Sequence, residues 1–245
     1  MDVTAIIKTF LRDEYLFACI ESLQARQPMP IIVFDDGYPS DEKTAFMKKR
    51  GISYYHFPFA TMPLTKARNE MVKLANTEYV LVGDDDFYYA DGGGIHYLID
   101  RMRDDDVDIV AGRVSENGEI KNFQGFIKKE GDRLIVTPTM EHRCDLVFNY
   151  FIGRKSALEA TQWDEKIKVA YEHEDFFIRF KENGYLVAWH PDAVVVHKPE
   201  HISIKDQERQ TLYAKHRLSR EAKTRFYEKH GIKRYQDINN FTETL

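Results

Sequence analysis

Apolar residues in this chain come in short unbroken runs that alternate with stretches of helical spacing. "VTAIIKTF" (Val3 to Phe10) reads as a buried strand. In "RDEYLFACIESLQARQ", Leu16, Cys19, Ile20 and Leu23 recur at helical spacing, and the pattern stops before Pro28 and Pro30. "PIIVFDDG" is a second strand, ending in Asp35 and Asp36. "SDEKTAFMKKRG" is a polar helix capped by Ser40 or Asp41 and stopped by Gly51. "ISYYHFPF" is a third strand. "LTKARNEMVKLAN" is a helix with Ala67, Met71, Leu74 and Ala75 inward, and it leads into a fourth strand, "YVLVGDDD". This alternation predicts βαβ units and a mainly parallel sheet. Ligands of such sheets bind beyond the C-terminal strand ends. The acidic clusters that close the second and fourth strands are therefore expected to share one crevice.

From Asp108 the pattern shortens. "DIVAGRV", "EIKNFQGFIKK" and "RLIVTPT" are short strands, separated by hairpin-type turns at Glu116-Asn117-Gly118 and Glu130-Gly131-Asp132. "LVFNYFIGRKSALEATQWD" gives a strand and a short helix, "EHEDFFIRFKENG" a helix stopped by Gly184, and "LVAWHPDAVVVHKP" a late strand pair. Gly92-Gly93-Gly94 lacks a following G-K-[ST] and reads as a flexible loop. After His201 the chain is polar and helical in pattern, and Lys and Arg outnumber acids between Lys205 and Arg234. The expectation is one α/β domain over residues 1–200 with a helical C-terminal extension over 201–245.

Bulk properties narrow the function classes. The 245 residues suffice for a sizeable core, and a net charge of -5 gives no global electrostatic case for nucleic acid. Two cysteines, Cys19 and Cys144, exclude a disulfide framework and a Cys-rich zinc site. No stretch approaches the roughly 18 apolar residues of a spanning helix, and the opening segment lacks the pattern of a signal peptide. The expected compartment is cytoplasmic. The basic C-terminal run admits peripheral docking on anionic lipid at the inner membrane face or, more commonly, a solvated helix pair.

Five places carry candidate chemistry. In "GDDDFYY", strand alternation puts Asp84 and Asp86 on one side and Asp85 on the other. Converging carboxylates suit a Mg²⁺ or Mn²⁺ that completes its shell with phosphate; an acidic solvated turn is the plain alternative. Adjacent carboxylates resist ionising together without positive charge among them. A divalent cation is expected to supply it, leaving the triplet poorly compensated before it binds. Asp35 and Asp36 in "FDDG" can accept from a ribose or a base N–H, or form a plain turn. In "TKARN", Lys66 and Arg68 open a helix whose N-terminal amides favour an anion, and Arg can grip a diphosphate; a solvated basic face is the alternative. "EHEDFF" surrounds His173 with Glu172, Glu174 and Asp175. Acids are favourable at a helix start in any case, but one of them could be a general base. His197, ending "AVVVH", is either structural or a metal ligand.

The order of these motifs resembles the GT-A nucleotide-sugar glycosyltransferases, above all inverting enzymes of the family 2 type. The stretch from Asn149 to Pro199 has an aromatic-rich strand, a basic residue after it, "H.(D/E)FF" and "D.VVxH". It is similar to β-1,4-N-acetylgalactosaminyltransferases of the ganglioside-synthase type, as is the opening "KTFLR". The resemblance implies a Rossmann-like, mainly parallel sheet flanked by helices. It implies Thr9, Phe10 and Asp36 on the uridine with Asp35 close by, and Lys66 and Arg68 on the nucleotide. Asp84 would touch ribose or metal with Asp85 beside it, and Asp86 and His197 would ligate the Mn²⁺ or Mg²⁺ that bridges the diphosphate. Asp175 would be the base with Glu174 on the acceptor, although the acidity of "EHED" leaves the choice between them open.

The implied reaction moves a hexose or N-acetylhexosamine from a UDP-sugar to a hydroxyl of a glycan or glycolipid, as in polysaccharide biosynthesis. Trp163, Trp189 and Tyr150 are candidate sugar platforms, though each is more often core. Two rivals remain. A sugar nucleotidyltransferase would want a Gly-rich loop after the first strand, which "IIKTFLR" lacks. A catalytically silent sugar- or partner-binding module would have no need of Asp86, Asp175 and His197.

Overall fold

The computed structural model describes residues 3–168, 170–197, 211 and 220–245. Its first third follows the expected alternation: β1 (Val3–Thr9), α1 (Asp13–Arg26), β2 (Ile31–Asp35), α2 (Asp41–Lys49), β3 (Ser53–His56), α3 (Leu64–Leu74) and β4 (Tyr79–Asp84). Ser40 caps α2 by accepting from the Lys43 amide at 3.3 Å. β4, β1, β2 and β3 lie side by side and parallel. Alternation along β1 sends Ile6 to one face and Ala5 and Ile7 to the other, so each face has its own core.

The chain continues through β5 (Phe87–Tyr88), α4 (Ile95–Asp104), β6 (Ile109–Glu116), β7 (Glu119–Lys121), β8 (Gly125–Glu130), β9 (Arg133–Pro138) and β10 (Arg143–Cys144). It then forms β11 (Phe151–Arg154), α5 (Lys155–Thr161), α6 (Glu172–Glu182), β12 (Val187–His197), α7 (Arg220–His230), β13 (Arg234–Gln236) and β14 (Thr242–Thr244). The main sheet runs β10-β12-β6-β11-β4-β1-β2-β3, with β5 paired to β12 and β7 to β6. β11 is antiparallel to both neighbours, so it divides the parallel β4-to-β3 half from the rest. A second sheet, β14-β13-β9-β8, covers one side.

Four details differ from the sequence reading. α4 was not expected; it buries Ile95, Leu98, Ile99 and Met102 on one face. The triple glycine before it is a packed corner, not a flexible loop: a Cβ on Gly93 would lie 2.9 Å from both the Tyr150 hydroxyl and the Tyr89 ring. The late strand pair is one long strand, β12, bent by a register shift between Trp189 and Val194. Pro191, which has no N–H for the ladder, lies in that bend. The C-terminal stretch is not wholly helical, because two strands follow α7 and complete the second sheet. Of the basic run proposed to meet lipid, residues 205–210 and 212–219 lie outside the described residues. Among those described, no helix is long and apolar enough to cross a membrane.

Candidate functional site

Register sets the site. Thr9 pairs with Asp35 across β1–β2, and Lys8 with Asp84 across β1–β4, so the three strands end level. The turns beyond them enclose a cavity of about 380 Å³. Its polar wall is Lys8, Thr9, Arg12, Asp36, Asp84, Asp85, Asp86, Lys168 and His197; Phe10, Ala60, Met62, Pro63 and Leu64 form an apolar wall. This is the crevice expected at the ends of parallel strands. Asp36 is fixed there by the Met62 amide at 2.7 Å and by the Lys8 ammonium.

All three aspartates of the triplet face this cavity, so the placing of Asp85 on the far side is corrected. β4 ends at Asp84, and Asp85 and Asp86 form the turn into β5, where strand alternation no longer applies. Asp85 accepts from the Thr9 hydroxyl at 2.7 Å. The Arg12 guanidinium bridges Asp85 and Asp86. Arg68 Nη2 donates to Asp84 at 3.0 Å, and His197 Nε2 meets Asp86 at 3.2 Å. The triplet is thus compensated by the chain's own cations before any ligand arrives, contrary to the expectation from sequence. Gly83 leaves room for the packing beneath: a Cβ there would lie 2.4 Å from the Tyr89 hydroxyl.

These partners set the proton affinities. Burial raises the Asp85 carboxyl above the usual range, against the pull of Arg12. Burial also pushes Asp86 up, but the hydrogen bond from His197 and the Arg12 charge outweigh it, and Asp86 ends below the usual range. His197 is raised to about 9, first by its hydrogen bond to Asp86; its other ring nitrogen meets Glu116 at 3.0 Å.

Other candidates are placed elsewhere. Asp35 is fully buried, away from the cavity, taking Lys43 at 2.6 Å, the Tyr54 hydroxyl at 2.8 Å and the Gly37 amide at 2.8 Å. Lys66 is exposed and outside the cavity wall. Arg68 is buried beside Asp84 and over the Trp163 ring, and its Nη1 has no hydrogen-bond partner among the described residues. The three proposed sugar platforms are core: Tyr150 donates to the Gly93 carbonyl at 2.7 Å, Trp189 Nε1 to the Glu141 carbonyl at 2.6 Å, and Trp163 stacks on Phe176 at 4.3 Å.

The opening of α6 is reached through Ala170 and Tyr171, both left-handed at φ 67° and 62°. Asp175 is 0% exposed and held by Arg179 at 2.8 Å, Lys229 at 2.7 Å and His230 at 2.9 Å. Burial raises its carboxyl, but these partners outweigh it and hold it down at about 2. Glu174 points elsewhere, taking the Tyr235 hydroxyl at 3.3 Å, and burial pushes its carboxyl up to about 7. His173 is kept neutral, pushed down to about 3 by burial and by the Arg68 charge. None of these three lines the cavity.

Comparison with known proteins settles the lineage. The profile described as "Glycosyl transferase family 2" matches residues 4–162. The chain belongs to this family. It is 33% identical over 116 residues to beta-1,4 N-acetylgalactosaminyltransferase 2 of Mus musculus, covering 47% of this chain and 22% of that protein. It is 28% identical over 193 residues to beta-1,4 N-acetylgalactosaminyltransferase 1 of Rattus norvegicus, covering 72% of this chain and 35% of the relative. The chain thus spans about a third or less of these relatives. Among solved structures it resembles S. aureus TarS 1-349 in complex with UDP-GlcNAc, with TM-score 0.61, 15% identity, and coverage of 84% of this chain and 61% of that one. TarS 1-349 alone gives a TM-score of 0.58 at 16% identity, with coverage of 81% and 60%. These neighbours share the GT-A fold.

Within this family 2 domain the sequence reading missed five charged residues. Lys8 and Arg12 open and close the quoted "KTFLR", where only Thr9 and Phe10 were singled out; their spacing around a strand end was the available signal. Lys43, paired to Asp35 and Asp13, and Glu116, behind His197, are side-chain partners from other elements. Lys168 reaches the cavity from the loop before α6 and carries no motif.

Proposed function

We propose that this protein is an inverting glycosyltransferase that moves a hexose or N-acetylhexosamine from a UDP-sugar to a hydroxyl of a glycan or glycolipid. The observation that carries the reading is the cavity itself, where Asp36, Thr9, the aspartate triplet and three cations meet at the ends of parallel strands. The UDP-GlcNAc complex of TarS and the N-acetylgalactosaminyltransferase relatives support a UDP-activated N-acetylhexosamine.

The uracil would lie along the apolar wall made by Phe10, Met62 and Pro63, with Asp36 and Thr9 at its polar edge. Lys8, Arg12 and Lys168 present positive charge to the diphosphate. The unsatisfied Arg68 Nη1 is a further donor beside it. The donor set also fits a divalent ion. Asp86 is a hard oxygen ligand, and His197 is an imidazole oriented by Glu116. No three His, Cys, Asp or Glu side chains among the described residues converge to hold an ion alone. Asp86 and His197 would therefore share a Mn²⁺ or Mg²⁺ with phosphate oxygens and water, the usual arrangement for nucleotide-bound ions. When bound, the ion would neutralise charge on the leaving diphosphate.

Neither Glu174 nor Asp175 lines the donor cavity, and of these two carboxylates at the opening of α6 we propose Glu174 as the base that an acceptor would meet. A base that accepts the acceptor's proton works best with an affinity near the operating pH, and the Glu174 carboxyl at about 7 meets that condition. Asp175, enclosed by Arg179, Lys229 and His230, does not. A single base without an attacking side chain supports one displacement with inversion, by analogy with one-step glycoside chemistry.

Incubation with UDP-GlcNAc, UDP-GalNAc and UDP-hexoses in Mn²⁺, with UDP release and product anomer followed by NMR, tests the reading. Absence of both UDP binding and UDP release would sink it. The rate should fall as pH drops below about 7, where Glu174 takes up a proton. Glu174→Gln should remove that limb and lower the rate about a hundredfold; full activity in that variant would overturn the base assignment alone.

A further inference from the structure

The triplet can be neutralised in two ways, by the side chains now on it or by the ion that its donor set suits. One guanidinium spans two of the carboxylates, Arg12 Nη2 on Asp85 and Nη1 on Asp86. The Asp86 oxygen that meets Arg12 is Oδ2, the same atom that meets His197 Nε2 at 3.2 Å. With Arg68 on Asp84 at 3.0 Å, two guanidiniums cover all three carboxylates. An ion approaching Asp86 finds this oxygen engaged and much of the negative charge that would draw it in already matched.

We propose that Arg12 is an internal counter-ion that holds the metal position of the donor cavity closed, and that an entering nucleoside diphosphate opens it. The proposal rests on the reading of this cavity as a UDP-sugar and metal site. Arg12 forms part of the same wall as Lys8 and Lys168, and its side chain is 15% exposed to the cavity side, so a diphosphate there comes within its reach. A guanidinium makes equivalent two-pronged bonds to a carboxylate pair or to a diphosphate. Its transfer would leave Asp85 and Asp86 adjacent and uncompensated, and the divalent ion restores the lost charge. Each ligand thus prepares the site for the other. Linkage requires that nucleotide raise ion affinity by the same factor as ion raises nucleotide affinity. A closed position weakens binding of the ion alone in proportion to the closed fraction.

The test is Mn²⁺ binding to the full chain, by calorimetry and by EPR of the free ion, with Mn²⁺ alone and with UDP. The wild type should bind Mn²⁺ alone weakly, and UDP should tighten it about tenfold or more. Arg12→Met should bind Mn²⁺ alone about tenfold more tightly than wild type, and UDP should add little. Mn²⁺ alone should raise the thermal midpoint of Arg12→Met but not of the wild type. Arg12→Lys, whose single ammonium cannot span both carboxylates as the guanidinium fork does, should fall between them and carries the comparison if the Met variant does not fold. Equal Mn²⁺ affinity and equal UDP coupling across wild type and variants would overturn the inference and leave the metal reading standing. UDP binding without Mn²⁺ binding in every protein would overturn both.

Discussion

Two clusters in this molecule are built from the same parts and behave differently. At the end of β4, aspartates are matched by Arg12, Arg68 and His197; at the start of α6, Asp175 is matched by Arg179, Lys229 and His230. The first opens on a cavity, with the Asp84 and His197 side chains about a third exposed (33% and 32%). In the second the carboxylate is 0% exposed. A buried charge whose partners surround it is a fixed part of the structure, and removing one member leaves the others uncompensated. A charge cluster on a cavity wall can exchange partners with a ligand. The difference between binding site and scaffold therefore lies in access, since residue types and pairing distances are alike.

The largest effect expected from this contrast is on activity at the first cluster. Asp86→Asn removes a carboxylate from the cavity while Arg12 keeps Asp85 and His197 keeps Glu116. UDP release from the preferred UDP-sugar should fall about a hundredfold or more, with a smaller loss of thermal stability than Asp175→Asn shows. The opposite ranking of the two variants in a melting experiment would erase the distinction.

Asp175→Asn should act on stability. Leaving Arg179, Lys229 and His230 without their shared carboxylate should cost about 3 kcal/mol in urea unfolding. Residual turnover per folded molecule should stay near wild type, because the Asp175 carboxylate is fully buried and taken up by Arg179, Lys229 and His230. The pH dependence has a definite sign. The folded carboxyl, at about 2, lies below its ordinary value of 3.8, so its contribution is full above roughly pH 4 and is lost as pH falls towards 2. Asp175→Asn should flatten the stability curve across that window and lower it by a constant amount at neutral pH and above.

The smallest effect concerns an aromatic residue that sequence offers as a sugar platform. Tyr150→Phe deletes only the hydroxyl that donates to Gly93 at 2.7 Å. It should lower stability by about 1 kcal/mol and leave the KM for every acceptor unchanged. A raised acceptor KM would return Tyr150 to the site.

What could be read in advance follows from how local each signal is. β1 to β4 and their helices were legible because each carries its own apolar run and stop residue. α4 was not, although Ile95, Leu98, Ile99 and Met102 have helical spacing; the helix begins directly after left-handed glycines instead of a Ser, Thr or Asp cap. β13 and β14 are three residues each, too short for a period of two to register. Within the site, Asp36 and the triplet were found because they close strands. Asp35 adjoins Asp36 yet serves the interior, a choice made by Lys43 and Tyr54 from other elements. The same limit hid Arg12: its partners lie 73 and 74 positions away. Asp175 was placed correctly on a helix start, but its enclosure could not be read there, since the residues that surround it are 54 and 55 positions later.

That separation also orders events during synthesis. A ribosome delivers the family-matched stretch, residues 4–162, and then α6 well before it delivers Lys229 and His230. Until those two residues emerge, Asp175 has, among the described residues, Arg179 alone to pair with, and the second sheet lacks the strands that finish it. The nascent chain must therefore carry an unfinished flank, open to water and to chaperones, while its parallel-strand half is already complete.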